Sequence, residues 1–198
     1  MIKLKAAGIE IGIDFTFFAL IAIYITFDTT GFAVISLLTC IIHEAGHLTT
    51  MFIFRQKPES IVFRGGGIRI GESYNADGAL KTIGFKERFI VLISGSAVNI
   101  CLFLFLYFSL PKTNIYPIMF AILNLIIGLF NLLPIGCLDG KQLLELFLPE
   151  RILNIVEALF LILVVIIVII AVISGGVNFT IAAAMFYVLC VDFFGNMC

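Results

Sequence analysis

Residues 89–110 run for 22 positions without a charge, and residues 115–138 run for another 24. A helix needs about 20 apolar residues to cross a bilayer, so each run is long enough. In water such runs would have to be covered on every side. The chain lacks the polar residues to do this, being 62% hydrophobic and only 13% charged, against about 25% charged in soluble domains. The runs therefore select an all-α polytopic membrane protein, with the lipid bilayer as its main solvent. Their continuity excludes a transmembrane barrel, whose strands alternate over segments of about ten residues. With a net charge of -1 and neither a basic tract nor an acidic tail, nothing points to nucleic acid as a partner.

Four more segments bring the expected count to six spans. Residues 152–173 qualify with one interruption at Glu157. Residues 32–54 qualify once His43, Glu44 and His47 are set aside. Residues 11–27, which contain Asp14, and 174–191 are shorter. The N-terminus is basic and then apolar, but no small-residue cleavage site follows, so it is expected to be retained. Six spans place both termini on one side, together with eleven of the twelve lysines and arginines; only Lys112 falls on the other. The positive-inside rule then puts both termini in the cytosol.

Residues 55–88 form the main polar loop. "SIVFRGGGIRIG" reads as two short strands around the glycines at 65–67, and "IKLKAAGIEIGID" offers a third. A small sheet near the cytosolic membrane face is expected. The five cysteines show no disulfide or zinc-ribbon spacing and read as small packing residues. The whole of 1–198 is read as a single membrane-embedded domain.

The stretch "CIIHEAGHLTT" breaks this apolar pattern with the chain's only two histidines, His43 and His47. On a helix, residues four apart share a face, about 6 Å apart along the axis, so both imidazoles can reach one metal ion. Glu44 is placed to reach a water on that metal without being a ligand. Ionisable groups at this depth are costly and normally face the bundle interior for a functional reason. A buried polar network or an ion-coupling site in a transporter is the alternative reading. A catalytic zinc has three protein ligands and an open position. In "NLLPIGCLDGKQLL", Pro134, Gly136 and Gly140 loosen the helix end and allow Asp139 to turn back into the bundle. Glu145, Glu150 and Glu157 are rival third ligands.

"HEAGH" in an early span followed by "NLLPIGCLDG" in a later one resembles the site-2 protease family of intramembrane zinc metalloproteases. Between them "SGSAVN" (residues 94–99) resembles that family's Gly-Pro-x-x-Asn segment. The six-span plan is similar to the compact bacterial group that includes sporulation factor-processing proteases, with no PDZ or nucleotide-sensing domain expected. The resemblance implies His43, His47 and Asp139 as ligands of one Zn2+ per chain and Glu44 as general base. It implies Asn131 as the stabiliser of the oxyanion. Ser96 departs from the pattern, standing where proline is usual, as do Cys137, where proline often precedes Leu-Asp-Gly, and Lys141, where a second glycine is common. The implied activity is cleavage of a membrane-tethered protein in the bacterial cytoplasmic membrane. The substrate would be a transcription factor, an anti-sigma factor or a signal-peptide remnant.

Overall fold

The computed structural model of the chain describes residues 2–6, 9–28, 30–56, 58, 60–64, 67–71, 84–111, 113–136 and 138–173. The expected last span, residues 174–191, lies outside them, as do Gly65, Gly66, Lys81, Lys112 and Cys137. The chain divides into two compact units, residues 1–130 and 131–198.

The first unit opens with two strands, β1 (Ile2–Ala6) and β2 (Ile9–Ile13), paired antiparallel as a hairpin with Ile2 opposite Ile13. The N-terminal alternation thus makes two strands rather than the single one expected. The helices α1 (Phe15–Phe27) and α2 (Phe32–Ile53) follow. Then come β3 (Ser60–Arg64) and β4 (Gly67–Gly71), the expected glycine hairpin. Strand β3 pairs parallel to β2, giving one four-stranded sheet in the order β1-β2-β3-β4. Parallel strands need a long crossover, and here α1 and α2 supply it. The chain leaves the sheet along α1 and returns along α2. The Asp14 amide extends the pairing to the Phe63 carbonyl at 2.9 Å, and the Phe17 and Phe63 rings meet tilted at 56° with centroids 5.4 Å apart. The first helix is therefore shorter than the expected 11–27, because Ile11–Ile13 carry the period-two pattern of β2. At 13 residues it reaches about 20 Å, against about 30 Å for a bilayer core.

Helices α3 (Phe85–Ser109) and α4 (Ile115–Phe130) complete this unit. Among the described residues, α2 and α3 are long and apolar enough to cross a bilayer. Helix α4 has 16 residues and stops at Phe130, not at 138. Pro134 explains the stop, since its ring clashes with the carbonyl four residues back and it has no N–H to continue the ladder.

Packing among α2, α3 and α4 relies on small residues. A Cβ at Gly46 would stand 3.0 Å from the Gly95 Cα and the Ser94 carbonyl. One at Gly128 would stand 3.2 Å from the Asn99 side chain and the Ser96 carbonyl. Such close backbone approach is characteristic of helices packed in lipid. The burial pattern is reversed from that of a water-soluble bundle. Thr39, Ser96, Asn99 and Asn124 are fully buried, while Ile41, Phe52, Phe105, Phe108 and Ile126 are exposed. Cys40 and Cys101 are also exposed, so these two do not serve as core packing. This reversal suits a hydrocarbon solvent.

The second unit begins with a non-helical segment at 131–136, followed by the short α5 (Asp139–Glu145) and the 24-residue α6 (Glu150–Ile173).

Candidate metal centre

His43 and His47 lie on one face of α2 and are buried, 4% and 7% exposed. Their rings meet edge to face at 4.8 Å, and their Nε2 atoms are 3.2 Å apart. Two nitrogens, each about 2.0–2.1 Å from one tetrahedral zinc, would stand roughly 3.3 Å apart. The pair is thus spaced for a shared ion.

Helix α3 orients these rings. His47 Nδ1 lies 2.8 Å from the Val91 carbonyl. A carbonyl can only accept, so Nδ1 carries the proton and Nε2 keeps its lone pair. This is the outer-shell arrangement found behind metal-binding histidines. The Ser94 hydroxyl donates to the same carbonyl at 2.7 Å. Asn99 Nδ2 lies 3.5 Å from His43 Nδ1, and Asn99 Oδ1 is buried with no hydrogen-bond partner among the described residues. Gly95 leaves room for the His47 ring, because a Cβ there would collide with its Nε2. Sequence reading marked the "SGSAVN" segment but gave Gly95 and Asn99 no task. Small residues facing an imidazole were the available sign. The Val91 carbonyl carried no sign at all, since every residue has one. Glu44, on the turn between the histidines, is half-buried.

The remaining expected residues belong to the second unit. Asn131 is the first residue past α4, and its carbonyl accepts the Gly140 N–H at 2.8 Å. Asp139 is half-buried and is the first residue of α5. The segment between them turns at Gly136, whose φ of 53° lies in the left-handed region that favours glycine. Gly140 packs so closely on the Leu132 carbonyl that a Cβ would collide with it. Of the rival carboxylates, Glu145 and Glu150 are exposed. Glu157 is engaged by the Gly136 N–H and by Lys141.

A helix-borne imidazole pair with its Nε2 atoms 3.2 Å apart, on an apolar bundle beside a four-stranded sheet, offers a donor set of the His-Glu-x-x-His kind that could hold a metal. No family model matches the chain. It is similar to a curated zinc metalloprotease of Methanocaldococcus jannaschii, 27% identical over 159 residues. That match covers 76% of this chain and 45% of the relative, so the chain spans about half the relative's length. A solved structure titled as a site-2 protease from Methanocaldococcus jannaschii superposes with a TM-score of 0.59 at 21% identity. It covers 94% of this chain and 91% of that one. The fold is that of a site-2 protease, and the likeness to the site-2 protease family that the motifs carry is shown. The zinc in the name of the first relative agrees with the donor set of the imidazole pair.

Proposed function

We propose that the chain is an intramembrane zinc metalloendopeptidase. Its substrate is a single-span, membrane-tethered protein, cut in or next to the transmembrane segment. The observation that carries this reading is the pair of Nε2 atoms at 3.2 Å with the His47 tautomer fixed by Val91. Such a pair inside an apolar helix has a metal as its natural occupant. His43 and His47 hold the zinc, one ion per chain, and Asp139 supplies the third ligand from the helix break. When bound, zinc supplies Lewis acidity, bringing the pKa of a water towards neutrality and polarising the scissile carbonyl.

The chain's own groups handle protons and charge. Glu44 takes the proton of the attacking water and passes it to the leaving amine. The Asn131 amide donates to the oxyanion as it develops. The histidines sit past the middle of α2, towards the end that returns to the sheet. Taken with the six-span plan and cytosolic termini expected from the basic residues, that position supports a site near the cytosolic face of a bacterial cytoplasmic membrane, where water can enter. A transcription factor, an anti-sigma factor or a signal-peptide remnant each fits as substrate.

Glu44→Gln tests the reading. It removes the base and leaves both histidines and Asp139 in place. Zinc content should be unchanged while single-turnover cleavage of a transmembrane substrate falls by roughly two to four orders of magnitude. Near-normal cleavage by the zinc-loaded variant would exclude this mechanism and favour an ion-coupling role for the histidines.

A further inference from the structure

Glu157 is the only charged residue in the stretch 152–173. A carboxylate in such a helix is costly unless it is paired and hydrogen-bonded. Here it is both. Its Oε1 accepts the Gly136 N–H at 2.9 Å and the Lys141 ammonium at 2.8 Å. The two side chains are mostly shielded, 15% exposed for Glu157 and 21% for Lys141.

The tethered points bracket one residue. Gly136 lies three positions before Asp139 and Lys141 two positions after it. Helix α5 has only seven residues, far below the length of about 12–15 at which a helix begins to hold itself. The segment before it follows Pro134 and turns at Gly136. Neither flank of Asp139 is therefore rigid by itself. The backbone bond from the Gly140 N–H to the Asn131 carbonyl closes the loop from one side, and Glu157 closes it from the other.

We propose that Glu157 is a positioning residue for the metal centre. Through Lys141 and the Gly136 amide it fixes the backbone that presents Asp139, and so sets how firmly that carboxylate holds zinc. The proposal rests on the reading of Asp139 as a zinc ligand. It gives Lys141 a task that the glycine common at that position in the site-2 protease pattern could not perform. It also gives Glu157 a role other than that of a rival ligand.

The test uses the full chain in detergent, with zinc alone as ligand, its affinity read by chelator competition, and Co2+ as a spectroscopic probe of ligand geometry. Glu157→Gln keeps an acceptor for Gly136 but loses the charge that holds Lys141. It should weaken zinc binding about tenfold to a hundredfold, the usual effect of removing an outer-shell partner, and alter the visible Co2+ bands. Lys141→Met should do the same. If the two act as one unit, the double variant should be no weaker than the weaker single. Amide exchange at Gly136 should speed up in Glu157→Leu, which removes both bonds. Should Glu157→Gln not fold, Lys141→Met carries the comparison.

Zinc affinity and Co2+ bands at wild-type values in these variants, alongside weakened binding in Asp139→Ala, would overturn this proposal alone. Strictly additive losses in the double variant would also overturn it. Wild-type zinc affinity in Asp139→Ala would overturn the ligand assignment, and this proposal with it.

Discussion

At His47 the two ring nitrogens have separate duties. Nδ1 is committed to the Val91 carbonyl, and only Nε2 is left to face His43. The space for that ring exists because residue 95 has no side chain. Gly95→Ala should therefore displace the His47 ring and reduce zinc content in purified protein, while Ala97→Gly on the same helix should not. His43 is oriented less directly. Binding a metal at Nε2 needs the proton on Nδ1, and a proton there is best met by an oxygen. The adjacent amide of Asn99 offers one, since its Oδ1 is buried without a partner among the described residues, and amide orientation follows the hydrogen-bond network. Asn99→Leu, similar in size and unable to accept, should weaken zinc binding by about ten- to a hundredfold. Asn99→Asp keeps an acceptor and should retain more affinity than Asn99→Leu. Chelator competition ranks the two, and equal affinities would show that the amide does not orient His43. The imidazole pair was legible in the sequence because four-residue spacing on a helix is a fixed distance. Its supports come from another helix and include a main-chain oxygen, so residue identities alone could not reveal them.

At the scale of the element, helix ends carry much of the design. Helix α2 starts after Gly31, which has no side chain to cap it. Asp28 does the capping from three residues upstream. Its carboxylate accepts the Ala33 N–H at 2.7 Å, the Phe32 N–H at 3.2 Å, and the Thr30 N–H and hydroxyl at 3.0 Å. Desolvation pushes the Asp28 carboxyl up, but the bonds from Ala33, Thr30 and Phe32 outweigh it and hold the group below its ordinary 3.8. A carboxyl depressed on folding stabilises fully above its unfolded pKa, and the effect is lost as pH falls through the folded one. The first turn of α2 should thus loosen as the pH drops below 3.8. Amide exchange at Phe32 and Ala33, corrected for its intrinsic pH dependence, should show this in the wild type and not in Asp28→Asn. Unchanged protection in the acidified wild type would exclude the cap. Other element ends explain where sequence reading erred. Residues 11–13 are apolar enough for a span, yet their partners are strand neighbours fifty positions away in β3 and on β1. Hydropathy alone cannot see such pairing. The early end of α4 could have been read from Pro134, whose effect reaches back four residues to Phe130. An uncharged run measures only the absence of charge and hid that break.

At the scale of the whole molecule, the sheet constrains topology independently of the basic residues. Strands β2 and β3 are parallel neighbours, with Glu10 opposite Ser60 and Ile13 opposite Phe63. The chain between them is almost entirely α1 and α2. To pair in parallel, β3 must return to the level from which β2 left, so the excursion must go out and back. If the bilayer surrounds these helices, the four strands and the C-terminal end of α2 share one membrane face. The loop after α3, which leaves the sheet side once more at Phe85, lies on the other. The positive-inside distribution supports the same division from charge, the span plan being the premise that the two arguments share. Single cysteines in a background freed of the native five should settle it. Positions Lys3, Lys5 and Arg55 should be shielded from a membrane-impermeant maleimide in intact cells and react after permeabilisation, while Asn114 should react without it. Labelling of Lys3 and Asn114 from the same side would break the out-and-back path and the six-span plan together. Labelling of all four positions with the sides exchanged would keep the path but reverse the chain in the membrane. The site would then open to the exterior, and the substrate classes proposed here would have to be replaced by proteins whose cleaved segment faces outward.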